Sequence, residues 1–159
     1  MQTIDQMERE LDRLLTWVRA ADTRVTLVLP LDTAMLGALA AVASDTCGWN
    51  TWQVIWGLLS VIPLTASLVF LALATFPRTD GPRNSLVFFG GIANRTEREF
   101  RDAVQAVDEA GYAEDLISQC HVNAVIAVKK FRWIKLSLLS VFIAAIPWFL
   151  SIYSMYQVG

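Results

Sequence analysis

Three apolar runs, separated by polar segments, dominate the pattern of hydrophobic and polar positions along this chain. They cover residues 25–44, 52–76 and 136–156. Each run has about the 20 residues that an α-helix needs to cross ~30 Å of hydrocarbon. The pattern therefore predicts an all-α membrane protein with three transmembrane helices over these ranges.

The segment before the first run has a helical pattern of its own. Its apolar residues alternate at intervals of three and four, which is the a/d seam of a left-handed helix pairing. The seam comprises Ile4, Met7, Leu11, Leu14, Val18, Ala21 and Val25. At the same spacing it continues through Val28, Asp32, Met35, Leu39 and Val42. We expect residues 1–24 to form an amphipathic stalk continuous with the first transmembrane helix, with Leu11, Leu14 and Val18 in a seam between copies of the chain.

The polar segment 77–135 also carries helical signals. It begins with PRTDGPRNS, which is dense in turn formers. Thr96 and Glu99 then match the T-x-x-E pattern of a capping box. A helix after that cap would have an apolar face made of Phe100, Val104 and Val107. We expect Gly111 to end this helix, and a second helix to run from Tyr112 into the third apolar run. The segment is thus predicted to form a helical hairpin that acts as a sensor region.

The distribution of cations orients these elements. All thirteen lysines and arginines lie before the first run or between Arg78 and Lys135, and the 44–51 connection contains none. Because cytoplasmic loops are enriched in Lys and Arg, the N-terminus and the 77–135 segment are predicted to be cytoplasmic. The C-terminus is then predicted on the opposite side. The polar stalk before the first run argues against a cleavable signal peptide.

Composition excludes several classes of site. The net charge is −2, because the acids nearly balance the cations. Cys47 and Cys120 are predicted on opposite sides of the membrane, so they cannot form a disulfide within one chain. The single histidine, His121, has no partner at metal-ligand spacing. We expect neither a metal site nor an enzyme, since no nucleophile and base can be paired.

Asp32 is the costliest residue of the first run. A carboxylate in the middle of a transmembrane helix is unfavourable by ~2.5 kcal/mol or more on insertion scales. In one interpretation the cost is met locally, with Asp32 or Thr33 capping the helix turn after Pro30. In the other, Asp32 side chains of several copies meet near the axis of a homo-oligomer and take part in gating.

An apolar stretch in the 77–135 segment is a candidate for ligand binding. Phe88 and Phe89 precede Gly90 and Gly91. The rings could stack on a flat ligand while the glycine backbone lets it approach closely. Alternatively, the stretch is an interfacial or packed segment against the helices.

Arginines in the same segment are a candidate for binding phosphate. Arg95, Arg98 and Arg101 lie beside the predicted helix N-terminus, where free N–H groups and cations converge. Arg78 and Arg83 precede them and complete the candidate set. The alternative is that these cations only keep the segment in the cytoplasm.

Five short motifs follow one another across nearly the whole chain. They are LDRLLTWVRAADTR at 11–24, LDTAMLGALA at 31–40, FPR at 76–78, SLVFFGGIA at 85–93 and KKFRW at 129–133. Their order resembles the small transmembrane effectors of bacterial Pycsar antiphage systems. The resemblance implies a multi-pass protein of the bacterial inner membrane, which would place the C-terminus in the periplasm.

The resemblance also implies a function. In that family a pyrimidine cyclase makes cUMP or cCMP on infection, and the effector responds by impairing the membrane, so that the cell dies before phage mature. It implies no catalytic residue, no cofactor and no nucleic-acid polymer as a partner. Since the 77–135 segment lacks a β-rich phosphate cassette, a nucleotide site would have to be built from helices and shared between subunits. The alternative function is a membrane anchor or assembly subunit for a soluble partner, without disruption activity.

Overall fold

Five helices account for the regular structure of the protein. The computed structural model describes residues 2–44, 48–76, 82 and 84–156. The helices are α1 (Gln2–Ser44), α2 (Thr51–Thr75), α3 (Phe89–Ala93), α4 (Glu97–Ala106) and α5 (Glu109–Tyr156), and these ranges contain no strand. Helices α1, α2 and α5 are long and apolar enough to cross a membrane. The predicted all-α fold with three transmembrane helices is therefore confirmed.

The chain divides into two units. One, which we call the polar unit, comprises Met1–Ala20 and Pro77–Lys129. The other, the membrane unit, comprises Ala21–Phe76 and Lys130–Gly159. Helices α1 and α5 each contribute residues to both units, whereas α2 belongs to the membrane unit alone.

Helices α1 and α5 run parallel in the membrane unit. Asp22 of α1 forms an ion pair with Lys130 of α5. Further along both helices, Trp148 Nε1 donates a hydrogen bond of 2.8 Å to the Met35 carbonyl. The order of these contacts is the same along both helices, so both enter the membrane unit from the same side.

Helix α2 runs antiparallel to α5. Near its start, Gln53 Nε2 donates to the Ser154 carbonyl at 3.1 Å, close to the end of α5. Further along α2, the Ser67 and Ser137 hydroxyls lie 2.8 Å apart. Both serines are fully buried, and such small side chains let neighbouring transmembrane helices approach closely.

Each long helix contains one proline in its membrane part, namely Pro30, Pro63 or Pro147. A proline has no N–H to donate to the carbonyl four residues earlier. The helices nevertheless continue through these positions, since packing against the neighbouring helices supports them.

The core of the membrane unit uses the predicted seam of α1. Three α1 residues of this seam lie in one buried cluster with residues of α2 and α5: Ala21, Val25, Val28, Leu71, Ala74, Ile134 and Val141. Leu39, the next buried apolar seam position, packs with Leu64 and Ala144. The spacing thus identifies the buried face of α1. Along this part of α1, residues of α2 and α5 of the same chain cover the seam, and a contact of α1 with another copy stays a prediction.

The seam is also turned inward in the polar unit. Leu11, Leu14 and Val18 are partly buried there. On the same stretch of α1, the Met7 carbonyl accepts a hydrogen bond from Cys120 Sγ at 3.6 Å. The start of α1 therefore packs on the start of α5, and an additional contact of these residues with a second copy stays a prediction.

The helix boundary near Gly111 differs from the predicted one. Helix α4 ends at Ala106, because Val107 is extended, with φ −72° and ψ 133°. Asp108 Oδ1 then accepts the Gly111 N–H at 2.9 Å, and its carbonyl accepts the Tyr112 N–H at 3.0 Å. Asp108 acts as the cap of α5, which begins at Glu109. Gly111 therefore lies in the first turn of α5 instead of ending α4.

Candidate functional site

The N-terminus of α4 is closed by the predicted capping box. Glu99 Oε2 accepts the Thr96 N–H at 2.8 Å, and Thr96 Oγ1 accepts the Glu99 N–H at 3.3 Å. The Thr96 hydroxyl also donates to Glu99 Oε2 at 2.8 Å, and the two bonds that the carboxylate accepts, from the Thr96 N–H and hydroxyl, hold the pKa of Glu99 below its ordinary value. A carboxylate already occupies the position where an anion would meet the helix N-terminus.

Arg95 clamps the loop that precedes α3. Its guanidinium donates hydrogen bonds to the backbone carbonyls of Asn84 at 2.6 Å, Ser85 at 2.9 Å and Gly91 at 3.3 Å. The rigid fork of donors suits this task, because it can reach several carbonyls at once. In this structure the guanidinium is engaged by the protein itself, and a phosphate would have to compete with three carbonyls.

The other predicted phosphate ligands are arranged differently. Arg101 Nη2 donates to Glu97 Oε1 at 2.7 Å in an exposed ion pair. Arg98 is exposed and has no ion-pair partner among the described residues. Arg78 and Arg83 lie outside the described residues. Phosphate binding by these arginines stays a prediction. Of the arginines in the set that the structure describes, Arg98 is the one still available to bind a phosphate.

Ser85 is a hydrogen-bond centre that the sequence analysis did not identify. Its Oγ accepts the N–H groups of Val87 at 3.1 Å and Phe88 at 2.8 Å, and it also accepts from Gln119 Nε2 at 3.2 Å. Asp115 Oδ2 accepts the Leu86 N–H at 2.7 Å. A serine bonding to backbone two residues ahead is a recognised turn, but its partner on α5 has no sequence signal. The loop is thereby tied to α5.

The glycine pair is packed against its own chain. A Cβ added to Gly91 would lie 2.5 Å from the Ser85 carbonyl oxygen, and one added to Gly90 would lie 2.5 Å from the Phe88 ring. The two phenylalanine rings contact each other, with centroids 4.6 Å apart. The close approach that the glycines allow is therefore made by protein atoms. Phe89 is 64% exposed, and stacking of a ligand on it stays a prediction.

Asp32 is buried inside the membrane unit. Its side chain is fully inaccessible, and neither carboxylate oxygen has a hydrogen-bond partner. The Ser67 hydroxyl lies beside the carboxyl, and it is also 2.8 Å from the Ser137 hydroxyl, with either serine able to donate in that pair.

This environment of Asp32 contradicts one part of the local interpretation. Capping by Asp32 is wrong, because its oxygens accept no N–H group. The Thr33 hydroxyl instead donates to the Leu29 and Pro30 carbonyls, at 2.9 Å and 3.0 Å. The carboxyl is buried within one chain, and contact between Asp32 side chains of several copies stays a prediction. A role of Asp32 in gating stays a prediction.

Cations lie at one edge of the membrane unit. The Lys130 side chain is 13% exposed in its ion pair with Asp22. The Arg24 guanidinium lies over the Phe131 ring, 5.1 Å from its centroid, which is a cation–π geometry. These two contacts join α1 to α5.

The described residues contain no group of acidic, histidine or cysteine side chains that could hold a metal ion. Burial raises the pKa of the Cys120 thiol, so the thiol keeps the proton that it donates to Met7. Cys47 lies outside the described residues. The polar features that stand out among the described residues are the loop held by Arg95 and the buried carboxyl of Asp32.

These features define a helical membrane protein with three potential spans and a separate polar unit. The family profile described as the Pycsar effector protein domain, PycTM, matches residues 6–156. The chain belongs to this family of transmembrane effectors of antiphage defence, which are not known as enzymes. Its three apolar helices and its family indicate a protein of the bacterial inner membrane.

A curated relative supports the same assignment. The Pycsar effector protein PtPycTM of Propioniciclava tarda is 27% identical over 133 residues. The match covers 77% of this chain and 65% of that relative, so the chain spans slightly less than two thirds of the relative's length. No solved structure matches the chain.

Proposed function

We propose that this protein is the membrane effector of a cyclic-pyrimidine-nucleotide antiphage system. In this proposal cUMP or cCMP activates it to impair the inner membrane and cause abortive infection. The observation that carries the proposal is the family match over residues 6–156, which includes all three apolar helices and the polar unit.

The proposed topology has the N-terminus and the polar unit in the cytoplasm and the C-terminus in the periplasm. The positive-inside rule supports this orientation. The parallel course of α1 and α5, with α2 antiparallel to α5, also supports three crossings in alternating directions. A nucleotide made in the cytoplasm would then reach the polar unit directly.

Asp32 supplies a physical reason for the membrane unit to open. A buried carboxyl whose neighbouring hydroxyl, that of Ser67, is shared with Ser137 costs free energy in the packed state. That cost falls if α1, α2 and α5 move apart and water reaches the carboxyl. Helices α1 and α5 also contribute residues to the polar unit. We therefore propose that a ligand that changes their packing in the polar unit shifts the equilibrium between the packed and the opened membrane unit.

Dye release from liposomes tests the proposal. The full-length protein is reconstituted in vesicles loaded with a self-quenching dye, and cUMP, cCMP, UMP or CMP is added. We expect release with at least one cyclic nucleotide and none with the linear ones. Absence of nucleotide-dependent release, combined with recovery of a soluble partner by the same protein from its host, would support the membrane-anchor alternative instead.

The variant Asp32→Asn tests whether this carboxyl takes part in activation. Asp32→Asn keeps the side-chain volume but cannot carry a negative charge, so we expect packing to be preserved while the nucleotide concentration for half-maximal release changes. Equal dose–response curves for Asp32→Asn and the wild type would remove Asp32 from the gating proposal.

A further inference from the structure

A cleft of about 520 Å³ lies in the polar unit, between the first turns of α1 and the first turns of α5. Its polar lining consists of Asp5, Glu8, Arg9, Asp12 and Tyr112. We call it the α1–α5 cleft. It is an open groove in which Asp5, Glu8, Arg9 and Asp12 are exposed, and its volume falls within the roughly 300–1,000 Å³ typical of small-molecule sites.

The remaining wall of the α1–α5 cleft is apolar. Leu11, Leu15, Val87 and Leu116 form it. Leu116 is almost fully buried, so the accessible apolar surface comes from the partly buried Leu11, Leu15 and Val87, and the Val87 N–H is held by Ser85 Oγ at 3.1 Å. A fixed apolar wall facing polar groups suits a flat heterocycle that has hydrogen-bonding edges.

Arg9 is the cation of the cleft. It has no ion-pair partner among the described residues, although three carboxylates line the same cleft. Glu8 Oε1 is engaged by the Tyr112 hydroxyl, which donates to it at 3.1 Å. Burial, together with Glu8, raises the pKa of Tyr112, so the phenol remains a neutral donor. The Arg9 guanidinium is left for an anionic group from outside the chain.

Two other clefts of the polar unit lack this feature. A cleft of about 390 Å³ beside Pro82 and Asp115 has no lysine or arginine among its lining residues. A cleft of about 340 Å³ beside α4 contains Arg101, but that side chain is paired with Glu97. Of these three clefts in the described part of the chain, the α1–α5 cleft is the one with an arginine free of an ion pair.

We propose that the α1–α5 cleft binds the cyclic pyrimidine nucleotide. The inference rests on the proposed function and names its ligand site. Arg9 binds the phosphodiester by charge-assisted hydrogen bonds. The carboxylates of Asp5 and Asp12 accept N–H and O–H groups, which uracil, cytosine and the ribose 2′-hydroxyl all offer. The apolar wall packs against the base.

The charges of the cleft also select for the cyclic form. A 3′,5′-cyclic phosphodiester carries one negative charge, which one arginine can match. A 5′-monophosphate carries nearly two at neutral pH, and its second charge would be repelled by the three carboxylates at short range. The cleft therefore favours cUMP and cCMP over UMP and CMP.

Calorimetric titration of the full-length protein in detergent tests the site. Wild type, Arg9→Gln and Arg13→Gln are titrated with cUMP and cCMP. Loss of a charge-assisted contact should weaken binding to Arg9→Gln on the order of 10- to 100-fold. Arg13 lies on the same helix outside the cleft and pairs with Glu10 at 2.8 Å, so Arg13→Gln should bind as the wild type does.

Two further variants guard against misfolding and test selectivity. Arg9→Lys keeps the charge without the planar fork and should bind several-fold more weakly than the wild type. Asp12→Asn removes one repulsive charge and should reduce the preference for cUMP over UMP.

The outcomes distinguish this inference from the proposed function. Wild-type affinity in both Arg9 variants, with binding by the wild-type protein intact, overturns the cleft assignment alone. Failure of the wild-type protein to bind either cyclic nucleotide overturns the proposed function and the assigned ligand together. An unchanged preference in Asp12→Asn overturns the charge argument for selectivity.

Discussion

Arg95→Ala should release the loop before α3 without touching the membrane unit. The guanidinium bonds to three backbone carbonyls in the polar unit, of which the Ser85 carbonyl belongs to a buried residue. The bond to Asn84 is exposed and the bond to Gly91 is long, at 3.3 Å, so both contribute less.

The magnitude follows from these bonds. Hydrogen bonds from a charged donor contribute about 1.5–3 kcal/mol each, and an orphaned buried carbonyl adds to the loss. Counting the Ser85 bond in full and discounting the other two gives about 2–4 kcal/mol of local stability. Since 1.4 kcal/mol is a factor of ten, protection of the loop amides should fall roughly 30- to 1,000-fold.

Hydrogen–deuterium exchange measured by mass spectrometry on the detergent-solubilised protein checks this prediction. The reporting amides are those of Val87 and Phe88, which donate to Ser85 Oγ. Arg98→Ala is the matched control, because that side chain is exposed and has no ion-pair partner among the described residues. Equal exchange of the loop in Arg95→Ala and Arg98→Ala would refute the clamp.

Three other changes have defined outcomes. Gly91→Ala should destabilise the polar unit, because its Cβ would lie 2.5 Å from the Ser85 carbonyl oxygen. Gly37→Ala is the matched control: its Cβ meets no atom within 4 Å, so the higher helix propensity of alanine should raise the melting temperature. Melting temperatures that shift in the same direction in both variants would contradict this. Leu11→Asp combined with Val18→Asp should unfold the polar unit within each protomer. If light scattering instead shows folded monomers, the result would support a seam between copies of the chain. The Glu99 contribution to the cap of α4 should be constant above pH 4.5, the ordinary pKa of the group, and be lost as the pH falls through its lowered folded-state pKa; exchange at the start of α4 should show this loss in the wild type but not in Glu99→Gln.

Local and periodic features of the fold could be predicted from the sequence. The three apolar runs and the Thr96–Glu99 capping box depend on residue type and spacing, and both are found in the structure. The seam of α1 is correct as a buried face, and its role as a contact between copies stays a prediction. Spacing reveals which side of a helix is covered, but it does not identify the covering surface.

Features that depend on distant partners could not be predicted. Arg95 was interpreted as a phosphate ligand because it lies near a helix N-terminus, yet carbonyls of an upstream loop occupy its donors. The end of α4 was misplaced because glycine is a common helix terminator, whereas the Asp108 side chain caps the next helix and draws Gly111 into it. Arg9 was counted only as a topological charge, since its surroundings come from both α1 and α5.

The prolines of the membrane unit have a mechanical consequence. Pro30, Pro63 and Pro147 each leave one backbone bond of their helix unformed before any movement begins. Bending at these positions therefore breaks no further bond of that kind, whereas bending elsewhere would expose a carbonyl to lipid. Each transmembrane helix therefore bends most easily at its proline. A force applied at one end of the bundle would bend the helices at these three positions.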